Sequence, residues 1–177
     1  MKYLQRSMSF LAIFTISIFA HATLVSNLED VTNGGVFFGT VTFADNGTNT
    51  VNITAEIADP INAGLTEGDI LGLWFDFANF GSLSGTPTLS GATVESYAYG
   101  ENSVGVSPFS DNNVALNGGQ IVGNWDLAIQ VGVNGSSGGF NQILDFDLMI
   151  AGLDESMFAD QRVGMRVQSI EGGDGIY

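Results

Sequence analysis

The sequence predicts an all-β protein, one antiparallel β-sandwich of about eight strands, jelly-roll or immunoglobulin-like. Three observations predict it. Apolar and polar residues alternate one by one through most of the chain, the period of a strand with one dry and one wet face. Segments rich in Gly, Ser, Asn and Asp separate those runs and supply turn residues. Helical periodicity is nearly absent: only residues 153–158 carry it, about one turn and too short to stand without tertiary support.

The first 22 residues read as an address. Lys2 and Arg6 make a basic start, an apolar run follows over residues 10–20, and Ala20-His21-Ala22 ends it. That is the layout of a secretory signal, with small residues at the cleavage site. The run is well short of the ~20 residues of a membrane span, although an uncleaved anchor is the alternative. Cleavage after Ala22 leaves a β-sandwich domain over residues 23–170 and a short tail over 171–177.

The strands follow in order. In residues 36–44, Phe37, Val41 and Phe43 share a face; in residues 51–57, Val51, Ile53, Ala55 and Ile57 do. Asp45-Asn46-Gly47 between them predicts a β-hairpin. Residues 69–78 set Leu71, Leu73, Phe75 and Phe77 inward, with Trp74 and Asp76 opposite. Residues 124–133 set Trp125, Leu127, Ile129, Val131 and Val133 against Asn124, Asp126, Ala128 and Gln130. Residues 140–150 place Phe140, Leu144, Phe146, Leu148 and Ile150 on one side and Asp145 and Asp147 on the other. Residues 162–170 turn Val163, Met165 and Val167 inward and Arg162, Arg166 and Gln168 outward. Weaker strands are expected at 93–98 and around 113–116, and linkers at 62–68, 81–91, 99–112 and 134–139.

Composition closes several functions. The chain has 177 residues, 19 acidic and four basic, for a net charge of −15. Removal of Lys2 and Arg6 takes that from −15 to −17, and the only histidine, His21, leaves with them. Arg162 and Arg166 alone do not neutralise phosphates, so nucleic acid is excluded as a partner, and anionic membranes repel the chain. No membrane insertion is expected after signal cleavage. Without Cys or a retained His there is no Ser-His-Asp or Cys-His pair and no ordinary transition-metal site. Disulfides are also closed to it, so packing must stabilise the fold, with a hard cation such as Ca²⁺ the one cofactor that its oxygen ligands suit.

Three constellations carry candidate chemistry. If residues 124–133 and 140–150 form a hairpin, Asp126 comes opposite Asp147, with Asp145 beside them. Facing like charges need water, a cation or an arginine, so these acids are candidate metal ligands, or else a solvated face trimmed by Arg166. A second set, Asp45, Asn46 and Asn49 with Asp111, Asn112 and Asn113, offers turn oxygens to Ca²⁺ without an EF-hand spacing; the same residues are ordinary turn formers. A third is aromatic: Trp74, Asp76, Tyr97 and Tyr99 would hold a sugar by ring stacking and hydrogen bonding. That needs Trp74 exposed, and a loop such as 81–91 or the second sheet would bury it, as large aromatics usually are. No glycosidase-type Glu-x-Asp-x-x-Glu occurs on a strand; Asp145-Phe146-Asp147 lacks both glutamates.

Three phrases add a likeness. Gly68-Asp69-Ile70-Leu71-Gly72-Leu73-Trp74-Phe75-Asp76-Phe77, Trp125-Asp126-Leu127-Ala128-Ile129-Gln130 and Val163-Gly164-Met165-Arg166-Val167-Gln168-Ser169-Ile170 resemble the PEP-CTERM family, secreted proteins of polysaccharide-producing Gram-negative bacteria. The opening phrase is also similar to a strand of cohesin-type sandwiches. The likeness covers about 100 residues through short, degenerate phrases. The family's Pro-Glu-Pro signal, apolar helix and basic tail do not follow Ile170, so it implies a sandwich fold and a secreted, periplasmic or extracellular setting, and no sorting route. The combined expectation is an exported, non-enzymatic acidic β-sandwich, a structural or interaction component of the extracellular matrix or envelope. Extracellular polysaccharide and other matrix components are the partners to expect; the alternative is a carbohydrate-binding module, calcium-assisted or not.

Overall fold

The computed structural model describes residues 23–30, 35–58, 65–91, 94–110, 114–116, 121, 123–131 and 141–172. The signal segment, the 134–139 linker, Phe140, Val133 and Asp111 to Asn113 lie outside the described residues. Nine strands are described: β1 (Thr23–Asp30), β2 (Val36–Asp45), β3 (Thr50–Ile57), β4 (Leu65–Phe75), β5 (Ser84–Ser90), β6 (Ser96–Val104), β7 (Trp125–Gln130), β8 (Ile143–Ala151) and β9 (Val163–Gly172). They form two antiparallel sheets, β1-β2-β3-β8-β5 and β6-β7-β4-β9. This is the β-sandwich that the alternation predicts, and no helix among the described residues is long and apolar enough to cross a membrane.

The core between the sheets takes alternate residues from each strand. Val41, Phe43, Ile53, Phe146 and Leu148 meet Ile70, Leu73, Phe75, Leu127 and Ile129 from the other sheet. A short 3₁₀ turn, Glu155–Phe158, plugs one end. Asp154 caps it by accepting the Ser156 N–H, which satisfies a donor the turn leaves open. The turn thereby delivers Phe158 into the core, stacked on Phe43 with ring centres 4.1 Å apart and edge-on to Phe75 and Phe77. The β2–β3 hairpin is built as expected, with Gly47 at a φ of +105° where the turn needs a left-handed residue.

Several elements differ from the expected pattern, each for a physical reason. A β-bulge between β1 and β2 leaves Phe38 without an opposite residue, so Phe38 packs on the core and Phe37 turns out to solvent. A second bulge makes Leu71 the extra residue of β4, so Ile70 enters the main core and Leu71 leaves it. Residues 84–90, inside an expected linker, form edge strand β5, and β6 extends to Val104. Val114, Ala115 and Leu116 are buried but are not a strand.

The largest departure concerns β7. All six of its residues are buried, including Asp126, Ala128 and Gln130, which the alternation assigned to water. The outer face of the four-stranded sheet has a cover of its own: Val104, Phe109, Val114 and Leu116 close over Leu71, Trp74, Trp125 and Ala128 as a second apolar cluster. The cover lies so close that a Cβ on Gly164 would stand 2.8 Å from the Leu116 side chain, nearer than carbon atoms pack. β7 also lies between β6 and β4, so it forms no hairpin with β8, which sits in the opposite sheet between β3 and β5.

Candidate functional site

Among the described residues, the outer face of the five-stranded sheet has no such cover. The register lays its outward residues in rows across the strands. One runs Val25, Thr42, Thr54, Asp145; the next runs Thr23, Ala44, Asn52, Asp147, Ser90. These are the outward positions of β1, β2, β3, β8 and β5, and apart from Val25 and Ala44 small polar residues occupy them, since the strand period turns alternate side chains to water.

Hydrogen bonds tie the middle of this face into a lattice. The Asn52 Nδ2 donates to Asp145 Oδ1 at 3.0 Å and to Asp147 Oδ1 at 3.1 Å. Asn46, from the β2–β3 turn, donates to the same Asp147 oxygen at 2.9 Å, and the Thr54 hydroxyl donates to Asp145 Oδ2 at 3.3 Å. Amide and hydroxyl donors therefore offset the mutual repulsion of two carboxylates on one strand face. Arg166, the expected trimming residue, stands opposite Gly72 in the other sheet.

Asp126 does not join Asp145 and Asp147, so the three do not make one metal site. Its strand belongs to the four-stranded sheet, and it is 6% exposed. Its two oxygens accept the backbone N–H of Phe77 at 2.9 Å and of Asn102 at 2.6 Å. Asp126 thereby fixes the end of β4 to the irregular middle of β6. Among the described residues, no three acidic or histidine side chains gather as a metal ion requires.

The aromatic platform is not assembled either. Trp74 is fully buried, its indole N–H donating to the Gly105 carbonyl at 3.3 Å and its ring edge-on to Phe109. The cover comes from the chain after β6, not from 81–91 or the second sheet. Asp76 is paired with Arg162, whose guanidinium also donates to the Asn124 carbonyl and lies 4.4 Å over the Trp125 ring. Tyr99 lies against Phe80, with ring centres 5.0 Å apart. Burial first, and Asp126 second, hold its phenol above the ordinary value. Tyr97 alone of the four is open, at 43% exposure.

Of the turn oxygens proposed for calcium, those of Asp45 and Asn49 are engaged too. Asp45 Oδ1 accepts the Glu155 N–H at 3.0 Å and Asn49 Oδ1 accepts the Gly152 N–H at 2.8 Å. They fasten the β2–β3 turn to the segment after β8. A sequence reading misses the exposed apolar residues on the open face: Val25, Phe37, Ile143 and Met149. Phe37 carried no usable signal, since only the bulge at Phe38 turns it outward.

Comparison of the chain with family models, with curated proteins and with solved structures finds no match.

Proposed function

We propose that this protein acts outside the cytoplasm as a non-enzymatic, acidic β-sandwich, a structural or interaction component of the bacterial extracellular matrix or envelope. One observation carries the reading: the hydrogen-bonded face of Asn46, Asn52, Thr54, Asp145 and Asp147. Its side chains are held by one another, so a partner that meets them loses little side-chain freedom. They offer amide, hydroxyl and carboxylate groups to a hydroxyl-rich polymer. The net charge of −15 supports solubility outside the cell and disfavours anionic partners. The signal-like first 22 residues and the PEP-CTERM resemblance support the setting.

The test begins with fractionation of a bacterium expressing the full chain with a C-terminal tag. The chain should appear in the periplasmic, envelope or extracellular fraction, and the purified protein should co-sediment with isolated extracellular polysaccharide. An Asn52→Ala/Asp147→Ala variant should lose most of that co-sedimentation while keeping its melting temperature within a few degrees. Retention in the cytosol would refute the setting. Release of reducing ends, abolished by Asp145→Asn, would refute the non-enzymatic reading.

A further inference from the structure

The four sheet edges differ in how well they are closed to another strand. β5 contains Pro87, holds Gly85 at a φ of +85° and skips register between Ser84 and Thr88. β6 breaks register between Tyr99 and Val104, with Asn102 at positive φ, and β9 carries an extra residue between Gln168 and Glu171 against β4. Such irregularities spoil an edge for further pairing. β1 differs. It is eight residues long, contains no Pro, Gly, Lys or Arg, and every residue has a partner on β2. Its single register shift comes from an extra residue on β2, so β1 itself stays regular. On its far side, no strand meets it among the described residues.

We propose that a second copy of this chain adds to that edge, β1 against β1, antiparallel about a two-fold axis through Ser26. This goes beyond the surface reading above and stands on the edge geometry alone. Directly opposite residues of an antiparallel pair share a face. About that axis Ser26 meets Ser26, Leu24 meets Leu28 of the partner subunit, Val25 meets Asn27 of the partner subunit, and Thr23 meets Glu29 of the partner subunit. Leu24 and Leu28 both pack on the inner core, so this register extends the core across the junction twice. Thr23, Val25, Asn27 and Glu29 are all exposed, and no acid comes opposite an acid.

Neighbouring registers are worse. A one-residue slip sets Leu28 against Val25, joining an inner position to an outer one, which the pleat forbids. An axis through Asn27 sets Asp30 opposite Leu24 on the core side. Two strands make a small contact beside the roughly 1,600 Å² of a standard interface, so the association is weak. Each chain carries −15, so the copies repel at long range and added salt strengthens the pairing.

The chain has no cysteine, which gives the axis a direct test. Ser26→Cys, Val25→Cys and Asn27→Cys are made singly in the full exported chain and oxidised at high protein concentration. Only the axis position brings two copies of one residue within disulfide reach, so Ser26→Cys should cross-link roughly tenfold faster than the other two. Sedimentation of the unmodified chain should show dimer rising with salt. Val25→Glu/Asn27→Glu sets Glu opposite Glu on both sides of the axis and should return the chain to monomer without lowering its melting temperature. Equal cross-linking at all three positions, or a monomer at every salt and protein concentration, would overturn the proposal.

Discussion

The two sheets present outer faces of opposite character, although their strands carry similar alternating patterns. On the five-stranded sheet the outward rows are mostly Thr, Asn, Asp and Ser with a few apolar residues such as Val25 and Met149, and water reaches them. On the four-stranded sheet the outer face holds Leu71, Trp74, Ala98 and Ala128, under a lid formed after β6. Alternation tells which residues share a face. What decides whether the second face is wet is the size and polarity of its side chains, and whether another segment can pay the desolvation of its own backbone to cover them. The lid meets that condition in part through the Leu116 N–H, which donates to the Val106 carbonyl at 3.0 Å.

The largest effect that tests this contrast is expected at Trp74. Trp74→Ala removes the centre of the covered cluster and should cost about 3–5 kcal/mol in urea unfolding. Asn52→Ala, at the middle of the open face, should cost no more than about 1 kcal/mol. A Trp74 variant as stable as the Asn52 variant would mean that the lid contributes nothing and both faces are open.

Asp126→Ala comes next. It leaves the buried Phe77 N–H without an acceptor, at about 1–3 kcal/mol, while the Asn102 N–H, on an exposed residue, turns to water at less cost. Asp126→Asn keeps one acceptor oxygen and should lose about half as much. The pair of variants separates a carboxylate that fastens two strands from one that merely sits in the cluster. In the second case both substitutions would be neutral.

The residues that misled a reading of the sequence show where its information ends. Val51, Ile53, Leu144, Phe146 and Leu148 were legible as core because each lies in an unbroken two-residue period. Phe37 and Leu71 were not, because a bulge adds one residue and inverts the face of everything beyond it. Asp145 and Asp147 were legible as outward. Their partners Asn52 and Thr54 were legible as outward too, but the order of strands in the sheet is set by long-range packing, which no local spacing records. Asp126 looks identical to Asp145 in its local pattern; only the sheet to which its strand belongs separates a buried clamp from a surface carboxylate. Trp74 was ambiguous for a related reason. Its cover comes from residues about 30 to 40 positions away, Val104 and Phe109 in a segment whose turn-rich composition hides them and Val114 and Leu116 just beyond it.

Smaller effects are expected on the open face. Asp147→Asn retains an oxygen for Asn46 and Asn52 and removes one charge from a molecule at −15. Stability should move by less than about 0.5 kcal/mol. The sign should be stabilising at low salt, and the difference should vanish at high salt as repulsion is screened. A large loss would place Asp147 in the fold's essential framework instead of on its surface.

The smallest effect is read from pH. The Glu155 carboxyl lies above its ordinary value of 4.5, first through its hydrogen bond with Asp45 and then through burial. The protonated form is thus favoured in the folded chain, and between the ordinary and the raised value the native state holds more protons than the unfolded state. Stability from this contact is complete below pH 4.5 and is lost as pH rises through the raised value, the reverse of a salt-bridged acid. Glu155→Gln replaces the titrating proton with a permanent amide donor. Its melting temperature should match the unmodified chain in acid and exceed it slightly near neutrality, with the gap opening above pH 4.5. Glu155→Gln also removes one negative charge, whose effect added salt screens, so a gap that stayed constant with pH at high salt would remove the Asp45–Glu155 hydrogen bond as its source.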